Sequence, residues 1–176
     1  MKTYALVGHF NKDLEEKLLD LWRDLRDLGL SNYGYIYEGR LPHITLTDLQ
    51  AGSDDELISL IRDFSMTPVP IQINSVSSFL GSKTLVYSIH PSSDLLALHD
   101  LVTQCLDPYI ARDSQYRPDS WLPHTTIASR LMDKEILEAF DLARQGKGIS
   151  GILEKLVLLH VKSQEEVKVI LEVNLT

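Results

Sequence analysis

Apolar positions along this chain change period from segment to segment. Residues 4–9 form a β-rich apolar run, read as a first strand. Asn11 has the character of a helix N-cap, and Leu14, Leu18, Leu21, Trp22, Leu25 and Leu28 follow at helical spacing up to Gly29. Residues 41–47 read as a strand. Ser53-Asp54-Asp55-Glu56 is a capping box, continued as a helix by Leu57, Leu60, Ile61 and Phe64. Residues 68–76 read as a strand.

The second half repeats that order. Residues 84–89 are a strand, Ser92 or Ser93 is a cap, and Leu95, Leu98, Val102, Leu106 and Tyr109 form the apolar face of a helix. Residues 123–128 are a strand. Asp133 caps a helix whose apolar residues are Ile136, Leu137 and Phe140. Two closing strands, 152–161 and 167–173, are joined by a polar turn.

A single offset of 81 residues aligns the two halves. Leu41-Pro42-His43-Ile44-Thr45-Leu46 falls on Leu122-Pro123-His124-Thr125-Thr126-Ile127, and His9 falls on His90. Most of the other matches are apolar on apolar, which amphipathic helices produce easily, but the shared register is harder to dismiss. We read it as an internal duplication, roughly 1–80 and 81–176, giving two lobes about an approximate two-fold axis. No linker separates them, so 1–176 is expected to fold as one bilobal domain.

Composition narrows the function classes. The chain has 176 residues, 44% hydrophobic and 24% charged, with a formal charge of −8. No apolar run reaches the roughly 18 residues of a membrane span, and the N-terminal apolar stretch is too short for a signal peptide. A protein that wraps a long duplex shows a basic face, whereas no basic run here exceeds two residues. A nucleotide or an RNA end is the better substrate expectation. The single cysteine, Cys105, excludes an internal disulfide and a Cys-based zinc site, and its place in the helical pattern reads as a buried, inert thiol. A cytoplasmic monomer without cofactor is the default expectation.

The repeated Leu-Pro-His-x-Thr segment carries the chemistry. Side chains alternate along a strand, so His43 and Thr45 share one face while Ile44 and Leu46 share the other. His124 and Thr126 are arranged likewise. If a two-fold relates the lobes, one cleft receives two imidazoles and two hydroxyls. A neutral imidazole can take a proton from the attacking oxygen and a protonated one can give a proton to the departing oxygen. The hydroxyls can donate to non-bridging phosphate oxygens. Two such segments arise by chance on the order of once in ten thousand chains of this composition. The bland alternative is a structural repeat whose activity has been lost. A His-based metal site is poorly supplied, since neither segment offers Asp, Glu or Cys.

Two His-x-Thr-aliphatic segments about 80 residues apart, at 43–46 and 124–127, resemble the 2H phosphoesterase superfamily, which includes bacterial 2′-5′ RNA ligase-like proteins and 2′,3′-cyclic nucleotide phosphodiesterases. The resemblance implies an α+β, bilobal fold in which two antiparallel sheets line a central cleft, with helices outside. It implies hydrolysis of 2′,3′-cyclic phosphates or 2′-5′ linkages, ligation being the reverse in some members, with His43, Thr45, His124 and Thr126 as the functional positions. Many ligase-like members carry an arginine three residues past the second threonine. Here that position is Ser129, and the arginine follows at Arg130.

Around the segments, Arg40 and Arg130 could neutralise phosphate or lie solvated at the surface. Among Tyr33, Tyr35, Tyr37 and Trp121 the rings could stack a nucleobase, worth ~1–3 kcal/mol per base, or pack between the lobes. Tyr35 and Trp121 are the candidates for base contact. A strand-end hydrogen bond is the expected role of His9 and His90, and His99 and His160 read as structural. The competing function is a non-catalytic nucleotide-binding module that keeps the cleft, to be told apart by ligand-induced stabilisation without turnover.

Overall fold

The computed structural model describes residues 1–176. In chain order the elements are β1 (Lys2–Phe10), α1 (Lys12–Asp27), β2 (His43–Ala51), α2 (Asp54–Ile61), β3 (Val69–Ser78), β4 (Leu85–Ile89), α3 (Ser93–Leu106), β5 (His124–Ala128), α4 (Asp133–Ala143), β6 (Ile149–Val161) and β7 (Val167–Asn174). Single 3₁₀ turns lie at Tyr33–Tyr35 and Asp107–Tyr109. The fold is α+β, as the resemblance implies. No helix is long and apolar enough to cross a membrane.

The expected pair of sheets is replaced by one. All seven strands join an antiparallel sheet in the order β1-β2-β5-β4-β3-β6-β7, and β1 also pairs with β6. The cause is the length of β6: at Leu153 it pairs with Phe10 of β1 on one edge and Val69 of β3 on the other. Residues from Lys155 to Val161 then continue beside β1 and β7. The opposite junction is a single bridge, Ile44 of β2 against Thr125 of β5. Within β3–β6, Val69 pairs with Leu153 and Gln72 with Ser150, each pair being the other moved by 81 residues. The same shift carries Ile44–Thr125 onto itself.

In β1 and β4 that correspondence slips by two. His9 pairs with His43, but the residue that pairs with His124 is Ser88, not His90. Bulges between Leu6 and Val7 and between Leu85 and Val86 interrupt these two ladders. The two bulges fall at matching places, so they do not produce the slip; it comes from the connection, with His43 lying 34 residues after His9 and His124 lying 36 after Ser88.

All four helices pack on one face of the sheet. Leu14, Leu57, Leu98 and Ala139, one from each helix, belong to the same core as Ile44, Leu46 and Ile127. The other face bears only a small apolar floor of Val7, Val157 and Leu159. Gly8 lets β1 pass beneath this junction, since a Cβ there would lie 2.4 Å from Leu153 Cδ1 and 3.0 Å from Ile44 Cγ2. Ser92 caps α3 by accepting from the Leu95 N–H at 3.3 Å. Asn11 sits at the N-cap of α1, but its side chain accepts from the Ile152 N–H instead, at 2.8 Å, tying α1 to β6.

Two expectations are corrected. In α4 the buried residues are Ala139 and Ala143, while Leu137 and Phe140 are exposed by 73% and 40%. The helix approaches the sheet on its small residues. Cys105 is exposed, because the inward stripe of α3 runs through Leu95, Leu98, Val102 and Leu106 and leaves residue 105 on its flank.

Candidate active site

Pro42 and Pro123 precede the two strands without a main-chain donor to lose. His43, Thr45, His124 and Thr126 are half-buried, whereas Ile44, Thr125 and Ile127 are buried on the opposite, helix-covered face. The antiparallel register at Ile44–Thr125 sets His43 opposite Thr126 and Thr45 opposite His124. Each imidazole therefore has the other segment's hydroxyl as its cross-strand neighbour.

The two rings are tethered alike. His43 Nδ1 lies 2.7 Å from Leu41 O, and His124 Nδ1 lies 2.6 Å from Leu122 O. A carbonyl oxygen only accepts, so Nδ1 carries hydrogen in both rings and Nε2 is left for proton transfer. The tautomer follows from the partner rather than from a visible hydrogen.

Two indoles hold the strands around this bridge. Trp121 Nε1–H donates to Thr45 O at 3.0 Å, and Trp22 Nε1–H donates to Thr126 O at 3.3 Å. Each tryptophan thus ties down the main chain at one of the two threonines. Trp121 stacks on His99 of α3 at 3.7 Å with the planes 2° apart. Trp22 meets Tyr33 edge-on at 5.5 Å. Gly34 permits that approach, since a Cβ there would fall 2.4 Å from Trp22 Cε3.

The two histidines differ in electrostatics. Burial pushes His43 down to about 4; the bond to Leu41 opposes this, and Arg40, His9 and His124 push it further down. Burial also lowers His124, opposed by the bond to Leu122, with no cation contributing. His43, Thr45 and Thr126 line a cavity of about 670 Å³ together with Arg40, Lys83 and Arg130. His124 lines a smaller pocket of about 310 Å³ with Phe79, Tyr116, Trp121 and Leu122, its ring edge-on to Phe79 at 4.9 Å. No group of three or more His, Cys, Asp or Glu side chains is placed to hold a metal ion.

A family model described as the 2′-5′ RNA ligase superfamily matches residues 14–165. The chain belongs to that superfamily, within the 2H phosphoesterases. Among solved structures, Escherichia coli LigT complexed with 3′-AMP is similar over 99% of this chain and 98% of its own, with a TM-score of 0.66 and 11% identity. LigT in apo form gives 0.66 at 12% identity over the same shares. A crystal structure described as a phosphoesterase gives 0.64 at 12%, again over 99% and 98%. Such identities speak for the fold alone. No curated protein matches the sequence.

In this member of the superfamily, the structure brings the four His and Thr residues to one sheet face and Arg40 and Arg130 to the cavity. It does not bring Tyr35 there: Tyr35 is 46% exposed and lies under Arg26 at 4.5 Å. Trp121 is buried, one ring face taken by His99, with only residual surface in the smaller pocket. Tyr33 and Tyr37 flank Arg40, at 3.9 and 5.0 Å from its guanidinium carbon. His90 is exposed, and His160 stacks on Tyr4 at 5.1 Å. Sequence reasoning missed Lys83, the tether from Trp22 and the approach of His9 to His43, whose ring centroids are 6.4 Å apart. Only His9 left a signal, as a polar residue closing an apolar strand.

Proposed function

We propose that this chain is a phosphoesterase that opens 2′,3′-cyclic phosphates or 2′-5′ phosphodiesters of nucleotides or RNA ends, with His43 as general base and His124 as general acid, independently of metal. The observation that carries the reading is the crossed register, in which two identically tethered imidazoles each face the other segment's threonine. The nucleotide-bound LigT structures, one with 3′-AMP, agree with a nucleotide-sized ligand in this fold.

His43 is held neutral near pH 7 by burial and by Arg40, so its Nε2 can take a proton from the attacking water. The water oxygen bonds to phosphorus as the P–O bond to one ribose oxygen breaks. His124 Nε2 gives its proton to that oxygen. Burial disfavours the charge on His124, but the bond to Leu122 opposes this, no cation adds to it, and a bound phosphate anion favours the charge. Thr45 and Thr126 donate hydroxyl hydrogens to the non-bridging oxygens. Arg130 supplies positive charge from a left-handed backbone conformation (φ 58°), a strained choice for a residue other than glycine that lines the cleft.

Hydrolysis of nucleoside 2′,3′-cyclic phosphates and 2′-5′ dinucleotides in excess EDTA tests the proposal. Turnover to a single phosphomonoester is expected. Stabilisation by these ligands without turnover would instead make the chain a binding module, and loss of activity to EDTA, restored by one metal, would end the two-histidine mechanism.

A further inference from the structure

The larger cavity carries more positive charge than one cyclic phosphodiester requires. The chain has 25 acidic and 17 basic side chains, yet Arg40, Lys83 and Arg130 line this cavity and no Asp or Glu does. Neither Arg40 nor Arg130 takes part in any ion pair of the molecule. Lys83 meets only Asp133, at 3.7 Å, with both side chains mostly in water, so its charge is scarcely neutralised.

These cations are built into place. The Arg40 guanidinium rests against Tyr33 and Tyr37, and its Nε is buried with no hydrogen-bond partner. A buried donor without an acceptor is rare in native structures and points to a group yet to arrive. The Leu131 N–H donates to Lys83 O at 3.1 Å, binding the Lys83 loop to the turn that carries Arg130. Neutral donors from the β6–β7 turn, Ser163 and Gln164, complete the wall. The smaller pocket beside His124, with Phe79, Trp121 and Leu122, contains no Lys or Arg. The surplus charge thus lies on one side of the attacked phosphorus. A cyclic phosphodiester brings one negative charge, and Arg130 is already assigned to it.

We propose that Arg40 and Lys83 form a second anion subsite, which binds a substrate phosphate other than the one under attack. The inference rests on the proposed phosphoesterase reading for its orientation. It defines the substrate class as nucleotides with at least two phosphate groups. The second group comes either from a terminal monoester, as in a 5′-phosphorylated nucleotide, or from the next phosphodiester of an oligonucleotide end.

Calorimetric titration of the full chain with adenosine 2′-monophosphate, adenosine 2′,5′-bisphosphate and a 3′-5′ dinucleotide ending in a 2′-phosphate tests this. At low salt at least one of the two larger ligands should bind tenfold or more tightly than the monophosphate, and whichever gains identifies the source. In Lys83→Gln and in Arg40→Gln the gain should fall below threefold, with melting temperatures establishing that both variants fold. Equal affinities in the wild type, no binding of any of the three at millimolar concentration, or a full gain kept by both variants would overturn the subsite. Cyclic phosphate hydrolysis measured in parallel separates the two ideas. Absent turnover with a tenfold binding gain ends the phosphoesterase reading alone, and turnover without the gain ends the subsite alone.

Discussion

The His43 and His124 sides of the cleft share a local frame and differ in what surrounds it. On both sides Nδ1 binds the carbonyl two residues back, a threonine stands across the strand, and an indole N–H holds that threonine's main chain. Three residues before each histidine the halves part: Arg40 on one side, Trp121 on the other. The sheet neighbours part as well, His9 beside His43 and Ser88 beside His124. A near-symmetric scaffold thus gives two equivalent proton-transfer positions; burial favours the neutral form at both, and the neighbouring cation pushes His43 further. Division of labour here is set by neighbours, not by the repeated segment.

The strongest way to break this comparison is to remove the rings one at a time. His43→Ala and His124→Ala should each lower kcat by ~10²–10⁴-fold. The double variant should lose little more, because the two groups act in one step. Steady-state rates on a 2′,3′-cyclic nucleotide check this, and wild-type turnover in both single variants would remove the catalytic assignment. The threonines come next. Thr45→Val and Thr126→Val should each cost on the order of 10²-fold in kcat, the size seen when a donor to developing charge is lost. A change in KM alone would show that the hydroxyls bind ground state and transition state equally.

Much of this comparison is legible in the sequence, and the reasons are local. Strand alternation sufficed to place His43 with Thr45 against Ile44 with Leu46, and the Ser92 cap is a short-range signal. What escaped depends on tertiary register. The stretch from β4 to β5 is two residues longer than that from β1 to β2, which moves the counterpart of His9 to Ser88 without disturbing the apolar pattern. Leu137 and Phe140 looked like the inner face of α4 because they are large, but close packing selected Ala139 and Ala143. The aromatic residues before each histidine were visible, whereas their division into an arginine cradle and a strand tether was not, since it depends on loops at 28–42 and 107–123 folding back on the helices that precede them and, for Trp121, reaching across to β2. A single continuous sheet likewise required knowing that β6 spans both halves.

The electrostatic difference can be sharpened through stability. His43 has a folded value of about 4, below the ordinary histidine value of 6.5. Above pH 6.5 both folded and unfolded chains leave it neutral, and it contributes nothing to the pH dependence. As pH falls from 6.5 toward 4 the unfolded chain binds a proton there that the folded chain does not, so stability declines by at most ~1.4 kcal/mol per pH unit from this group. Below about 4 the loss is complete. His43→Gln should flatten the urea-unfolding free energy across that window. An unchanged slope would mean that His43 protonates as readily in the fold as outside it.

The smallest effect probes the shared frame itself. Trp121→Phe and Trp22→Phe keep an aromatic ring in each place but delete the N–H that binds Thr45 O or Thr126 O. Each should cost ~1 kcal/mol in unfolding free energy, the net worth of one such bond, with the orphaned carbonyl adding to it where water has no access. If the two tethers are equivalent halves of one device, the two variants should also lower kcat by similar factors, because each frees the strand that carries a threonine hydroxyl. The longer Trp22 bond, 3.3 Å against 3.0 Å, sets the direction of any inequality, with Trp121→Phe the more costly. Equal losses of stability with full activity in both variants would show that the indoles brace the sheet without positioning the threonines. The catalytic geometry would then rest on the Ile44–Thr125 bridge alone.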